Sequence, residues 1–187
     1  LLDLSGPSSV FNAAKALIKQ PSYEIHVLSS AGGLIQSRTG IEVNSQSLAT
    51  FDVRRSDTIL VAGGSQKAIN LVSIDDVVQN WLAKNAEKAE RVGSICSGAM
   101  VLAANGLLDE KRATTHWADL SHMADKYPCV DVAKDALYCV DGSIWTSAGV
   151  TTGIDMAMAM VGKDHSTKVM HEIARWLVVY AHRPGHQ

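Results

Sequence analysis

The feature that most constrains the fold is a sharp corner between a strand and a helix at residues 91–100. The segment reads RVGSICSGAM, in which an apolar run ends at Cys96 and a helical run follows. Ser94 and Gly98 lie two residues to either side of Cys96, which is the spacing of a nucleophile elbow. Bulky neighbours would clash at so tight a turn. The spacing therefore predicts that the Cys96 side chain projects above a sheet, beside the amino end of a helix.

A cysteine at such a corner is open to two interpretations. The partial positive charge at the amino end of a helix favours an anion, so we expect Cys96 to have a lowered pKa and to react as a thiolate. The alternative is a buried cysteine that packs as a small apolar side chain. Cys129 and Cys139 complete an odd set of cysteines at irregular spacing. That set is no disulfide framework, and it favours a reducing, cytoplasmic environment.

Strand and helix patterns alternate along the chain, and this order predicts an α/β fold. Such an order builds a mostly parallel sheet that is covered by helices on both faces, with ligands at the carboxyl ends of the strands. Asp141 and Gly142 mark a two-residue hairpin, and Gly32, Gly33 and Gly40 mark another. The predicted strands are 23–28, 58–62, 91–95, 137–140 and 143–146. The predicted helices are a first one that starts near Pro7 and runs to Ile18, followed by 75–86, 97–104, 116–126, 153–161 and 166–180.

Composition argues against several classes of function. The 187 residues carry 17 Lys+Arg against 19 Asp+Glu, and no basic stripe predicts contact of this chain with nucleic acid. No apolar run approaches the length of a membrane span, so we expect no membrane partner. The chain has no Cys-x-x-Cys or His-x-x-x-His pair, so neither a metal site nor another cofactor is predicted.

Two glycines and a histidine that follow predicted strands are candidate partners of Cys96. We expect Gly63 and Gly64 to offer backbone N–H groups to an oxyanion, together with the N–H of Ser97. A plain tight turn is the alternative for the glycines. His116 is a candidate base or hydrogen-bond partner for Cys96, or else a histidine that begins a helix and packs under a tryptophan.

Three further polar residues are candidates for the same site. Asp3 lies between leucines, and an acid in an apolar setting often has a perturbed pKa and a function. The alternative is a helix cap or a solvated acid. Thr115 and Ser147 also follow predicted strands, where small polar side chains either line a ligand pocket or lead into the next helix.

Taken together, these motifs resemble the ThiJ/PfpI branch of the class I glutamine amidotransferase-like superfamily. More narrowly, they resemble the amino-terminal domain of GlxA-type AraC-family transcriptional regulators, and isonitrile hydratase is an enzymatic relative of that branch. The resemblance implies a flavodoxin-like three-layer sandwich in which Asp3 contacts Cys96, amides of Gly64 and Ser97 flank it, and His116 lies nearby. The matching segments are residues 2–7, 10–11, 61–64, 95–99, 113–117, 145–149 and 153–155.

The resemblance also implies a function and a domain boundary. Residues 1–182 would form the ThiJ/PfpI-like domain, and residues 183–187 would begin a linker to a helix-turn-helix domain outside this chain. The implied protein is a cytoplasmic homodimer that regulates transcription by binding a small-molecule effector near Cys96, and that reaches DNA only through that further domain. PfpI-type proteases carry a histidine directly after the cysteine, where this chain has Ser97, so a protease-like pair is not expected.

Two alternatives to a regulatory domain remain open. One is a stand-alone cysteine-dependent enzyme, either isonitrile hydratase-like or amidase-like, that uses Cys96. The other is a redox sensor in which oxidation of Cys96 is the signal.

Overall fold

A four-stranded sheet carries the Cys96 corner. The protein was analysed as a computed structural model, which describes residues 1–18 and 23–179. The predicted linker at residues 183–187 lies outside these ranges. In chain order the elements are α1 (Leu2–Leu17), β1 (Leu28–Ser29), β2 (Gly33–Gln36), β3 (Glu42–Ser47), β4 (Thr58–Val61), α2 (Gln66–Ser73), α3 (Asp76–Asn85), β5 (Arg91–Ile95), α4 (Ala99–Ala104), β6 (Arg112–Ala113), α5 (Leu120–Lys126), β7 (Asp131–Val132), β8 (Tyr138–Asp141), β9 (Ile144–Ser147), α6 (Val150–Asp164) and α7 (Thr167–Trp176).

The main sheet has the strand order β4-β5-β9-β8. Strands β4, β5 and β9 are parallel, and β8 joins β9 through the predicted antiparallel hairpin. Gly142 adopts a φ of +62° in that turn, a conformation that costs glycine little. Gly93 pairs with Leu60 on one side and Trp145 on the other, and a Cβ there would lie 2.5 Å from the Trp145 carbonyl oxygen. The mostly parallel sheet that the sequence predicts is therefore confirmed.

Helices cover both faces of this sheet. Side chains of α2, α3 and α4 form one apolar cluster that includes Val92 and packs against Ile59 and Val61. On the opposite face, α1, α6 and α7 form a second cluster, while Ile95 and Trp145 contact α6. Alternate residues of each strand point to opposite faces, which is why the two clusters are distinct. The three-layer, flavodoxin-like architecture is thus confirmed.

A buried ionic network ties α6 to the start of β5. The guanidinium of Arg91 contacts Asp164 Oδ1 at 2.6 Å, and the hydroxyl of Tyr23 donates to Asp164 Oδ2 at 2.6 Å. The Arg91 side chain is only 6% exposed and that of Asp164 18%. Burial and the neighbouring carboxylate raise the pKa of Tyr23 far above its usual range. This network lies at the amino end of β5, opposite the Cys96 end.

Two smaller sheets lie outside the main one. Strand β3 pairs with β1 in parallel and with β2 in the glycine-marked hairpin, and β6 pairs with β7. The predicted strand at residues 23–28 is wrong in extent, because pairing with β3 begins only at Leu28, opposite Gln46. Residues 24–27 form no strand. No described helix combines the length and the apolar character needed to cross a bilayer.

Candidate functional site

Cys96 occupies the strained corner that the sequence predicts. It follows β5 directly and adopts a φ of +57°, a left-handed conformation that is costly for any residue other than glycine. A short 3₁₀ turn at Cys96–Gly98 then leads into α4. Gly98 is required because a Cβ at this position would collide with the Val61 carbonyl. The hydroxyl of Thr115 donates to the Cys96 carbonyl at 3.1 Å and holds the corner in place.

Asp3 lies in the first turn of α1 and reaches this corner. Its Oδ2 accepts a hydrogen bond from the Gly63 N–H at 3.0 Å. A Cβ added to Gly63 would lie 2.6 Å from that oxygen and 2.9 Å from the Cys96 Cβ. The glycine therefore leaves the space in which the carboxyl and the cysteine meet. Burial raises the pKa of Asp3 above its ordinary value, although the Gly63 hydrogen bond opposes the shift.

The backbone amides around Cys96 are already engaged by protein groups. The Gly64 N–H donates to the Ser97 hydroxyl at 3.1 Å, and that hydroxyl lies 3.1 Å from the Gly64 carbonyl, to which it donates in turn. The Gly63 N–H is taken by Asp3, so an oxyanion would have to replace the present acceptors of Gly63 and Gly64, and the role of these amides stays a prediction.

The pKa of Cys96 shifts opposite to the sequence prediction. Burial raises the pKa of the Cys96 thiol, and the Asp3 carboxylate, followed by that of Asp119, raises it further. Hydrogen bonds from Ser97 lower it, but by less. The prediction of a lowered pKa is therefore wrong, because burial of the thiol, the largest influence, outweighs the effect of the helix end. Asp119 was not singled out from the sequence, although it lies only three residues beyond His116.

His116 lies at the start of a short helical turn that follows β6. It begins a short 3₁₀ turn at Trp117–Asp119, where its Nδ1 accepts from the Ala118 N–H at 3.4 Å. Its ring lies 5.3 Å from that of Trp117, which is 78% exposed. Among the hydrogen bonds of the described residues, none joins His116 to Cys96. A protonated His116 does lower the pKa of Asp3, so its charge acts on the acid at the site.

Two other predicted ligand contacts lie buried beneath the corner, and their role in binding stays a prediction. Thr115 and Ser147 are fully buried. Each donates to a backbone carbonyl of the strand end or corner, Thr115 to Cys96 at 3.1 Å and Ser147 to Ser94 at 3.4 Å. Their hydroxyls help to hold the elbow, and neither side chain is exposed to solvent. Within residues 1–18 and 23–179, no cluster of three or more histidine, cysteine or acidic side chains is arranged to hold a metal ion.

Comparisons with known proteins agree with this architecture. The profile of the DJ-1/PfpI family matches residues 2–163. The HTH-type transcriptional regulator CdhR of Pseudomonas aeruginosa is 32% identical over 162 residues, which are 87% of this chain and 47% of the regulator. Isonitrile hydratase of Pseudomonas putida is 34% identical over 163 residues, which are 85% of this chain and 64% of the enzyme. This chain thus spans less than two thirds of either relative.

A solved structure extends the comparison to the fold. The crystal structure of a ThiJ/PfpI family protein from Pseudomonas syringae superimposes with a TM-score of 0.83 at 22% identity. The match covers 98% of this chain and 72% of that one. At this level of identity the likeness concerns the fold alone.

Proposed function

The chain belongs to the DJ-1/PfpI family, and from that premise we propose that it is the ligand-sensing domain of an AraC-family transcriptional regulator. A small-molecule effector binds beside Cys96, and a helix-turn-helix region outside residues 1–187 reads out the binding. The likeness to CdhR over 87% of the chain supports the regulatory part of this proposal. A balance of 17 basic against 19 acidic residues supports placing the DNA contact in that other region.

The observation that carries the proposal is the engagement of the amides at the elbow. The N–H groups of Gly63 and Gly64 donate to Asp3 and to the Ser97 hydroxyl. A hydrolase needs such donors free, because they stabilise the oxyanion of the transition state. Here an oxyanion would have to displace protein groups first. A sensing domain has no such requirement, so the arrangement favours binding over hydrolysis.

The raised pKa of Cys96 also favours binding over hydrolysis. Burial and Asp3 both raise the pKa of Cys96, so little thiolate is present at neutral pH. A slow thiol is poorly suited to nucleophilic attack and equally to rapid oxidation, which weakens the redox-sensor alternative. Small polar ligands, by contrast, find hydrogen-bonding groups on Asp3 and His116 beside a half-buried corner.

A cysteine-dependent enzyme is the second candidate. The specific observation in its favour is the 34% identity with isonitrile hydratase over 85% of this chain. In that case Cys96 would attack the substrate and Asp3 would transfer protons. The enzyme needs Asp3 protonated, and burial raises its pKa in that direction.

We also propose a homodimeric assembly in the cytoplasm, as the resemblance implies. Regulators that read paired half-sites on DNA need two-fold symmetry. Light scattering of the 187-residue chain at micromolar concentration is expected to give twice the mass of 20.0 kDa. A single species of monomer mass would contradict this assembly for the chain.

The decisive experiment pairs ligand binding with labelling of two cysteines. A panel of small polar metabolites is screened for ligands that raise the melting temperature, and each hit is added during alkylation by iodoacetamide. We expect an effector to change the alkylation rate of Cys96 and to leave that of exposed Cys129 unchanged. Ligands that stabilise the chain without affecting Cys96 would contradict the position of the site.

The same protein is assayed for turnover of amides, esters and isonitriles. Cys96→Ala is compared with Cys129→Ala, which removes a cysteine that lies on the surface. We expect no turnover that depends on Cys96. Turnover that is lost in Cys96→Ala and kept in Cys129→Ala would replace the sensing proposal with the enzymatic one.

A further inference from the structure

A groove beside β8 lies apart from the Cys96 site. Its walls come from β6, β7, β8 and the loop between β7 and β8, and its volume is about 700 Å³. Sites that hold small organic molecules have volumes of about 300 to 1,000 Å³. Of the described residues that line the groove, none is one of the site residues considered above. The groove therefore offers the chain a second place for a small ligand.

The floor of this groove is apolar and is built from small side chains. Ala133, Ala136 and Cys139 form a buried cluster of their own, separate from the larger apolar clusters of the fold. Val132 and Val140 also line the groove, and Val140 is 47% exposed although it lies in a strand of the main sheet. Apolar surface that faces water is stabilised when an apolar group covers it. The floor thus fits the apolar body of a ligand.

Arg112 brings a cation without a carboxylate partner to this floor. Its side chain lines the groove, and among the ion pairs of the described residues none includes Arg112. Its backbone N–H, and not its guanidinium, donates to Asp141 Oδ2 at 2.9 Å. Burial raises the pKa of Cys139, and Arg112 opposes this shift more than either Asp131 or Asp141 adds to it. The guanidinium therefore lies nearer the floor than these acids do, with planar donors that suit a carboxylate.

The charges around the groove limit the charge of its ligand. Lys134 adds a second cation, and Asp131 and Asp135 add two acids, so that these charges and that of Arg112 cancel. One negative charge on the ligand is enough to pair with the guanidinium. A second negative charge would face the two acids, and like charges repel. The groove therefore favours a monocarboxylate over a dicarboxylate or a phosphate.

We propose that the groove binds a small monocarboxylate with an apolar body of roughly ten non-hydrogen atoms. The two carboxylate oxygens accept parallel hydrogen bonds from the Arg112 guanidinium. The apolar body covers Ala133, Ala136 and Cys139 and removes the exposed side chain of Val140 from water. Because the groove shares no residue with the site described above, its ligand is tested independently of the proposed effector.

The test titrates three probes into the isotope-labelled 187-residue chain and follows its amide resonances by NMR. Phenylpropionate is the monocarboxylate, phenylpropionamide is its neutral analogue of the same shape, and phenylsuccinate carries two carboxylates. Arg112→Gln removes the guanidinium that the carboxylate would contact. The matched control, Arg38→Gln, removes an exposed arginine between β2 and β3.

We expect phenylpropionate to bind with a dissociation constant of about 1 mM and to shift the amide resonances of Ala133, Ala136 and Cys139. Loss of the guanidinium in Arg112→Gln should weaken binding about tenfold or more, because a charge-assisted pair is lost. Phenylpropionamide should bind the unchanged chain more weakly by a similar factor, since it carries no charge. Phenylsuccinate should also bind more weakly than phenylpropionate, and Arg38→Gln should leave the affinity unchanged.

Several outcomes would overturn the proposal. One is the absence of phenylpropionate binding at about 10 mM. Another is an equal affinity of Arg112→Gln, of phenylpropionamide or of phenylsuccinate, because the pairing of one carboxylate with one guanidinium would then contribute nothing. Resonance shifts centred on Cys96 would overturn it as well, since they would place the carboxylate at the other site.

Discussion

Replacing Asp3 with asparagine should lower the pKa of Cys96. The Asp3 carboxylate and the Cys96 Cβ both lie within 3 Å of one point, the Cβ position of Gly63 at 2.6 and 2.9 Å. Two unit charges about 5 Å apart interact by about 2 to 3 kcal/mol at an effective dielectric constant of about 20 to 40. The site is partly open to water, so we expect solvent screening to reduce the effect to about one pKa unit.

The assay is the pH dependence of Cys96 alkylation by iodoacetamide, followed by mass spectrometry. Cys129 and Cys139 are replaced with serine so that a single thiol reacts. Below the pKa, a shift of about one unit raises the thiolate fraction about tenfold, while the intrinsic nucleophilicity falls about threefold. Asp3→Asn should therefore shift the midpoint down by about one unit and speed alkylation at neutral pH about threefold. The amide that replaces the carboxylate keeps an oxygen that accepts the Gly63 N–H.

The control is Asp119→Asn, which removes the weaker of the two acidic contributions to the pKa of Cys96. We expect Asp119→Asn to lower the pKa of Cys96 as well, but by less than Asp3→Asn does. An unchanged midpoint in Asp3→Asn would refute the reasoning, because it would mean that Asp3 carries no charge when Cys96 titrates. A raised midpoint would refute it too, and would identify a protonated Asp3 that donates to the sulfur.

Three further substitutions test the structure by thermal or denaturant unfolding. Gly63→Ala places a Cβ 2.9 Å from that of Cys96 and should lower the free energy of unfolding by about 1 to 3 kcal/mol. Gly149→Ala places a Cβ in open space and should change that free energy little. Equal losses in the two variants would contradict the close packing at Gly63. Asp164→Ala removes the 2.6 Å partner of the buried Arg91 guanidinium and leaves it only Glu90 at 3.6 Å, so it should cost about 3 kcal/mol, against at most about 1 kcal/mol for Lys111→Ala in an exposed pair. Cys96→Gly relieves a positive φ and should stabilise the fold by about 1 kcal/mol, so a loss of stability would argue against strain at the corner.

Local spacing predicts the parts of the site that depend on neighbours in the chain. Ser94 and Gly98 identify the elbow because the turn itself excludes larger side chains, and Asp141 with Gly142 identifies the hairpin for the same kind of reason. The elbow and the hairpin each depend on only a few consecutive residues. The structure therefore contains both at the positions that the sequence predicts.

The predictions that fail are those that depend on contacts between residues far apart in the chain. The pKa of Cys96 depends on Asp3, which approaches from another helix, and no spacing rule records that approach. The amides of Gly63 and Gly64 are engaged by side chains remote in sequence. Residues 24–27 have a strand-like sequence, but a parallel strand exists only beside a partner. The contact of Asp3 with the elbow follows from the family resemblance, and the spacing of residues along the chain does not predict it.

The reciprocal hydrogen bonds between Ser97 and Gly64 have a mechanical consequence. Ser97 opens the turn that leads into α4, and Gly64 directly precedes Ser65, the residue that caps α2. A single hydroxyl therefore bridges the amino ends of two helices that also pack together on the same face of the sheet. Loss of that hydroxyl would remove both hydrogen bonds at once.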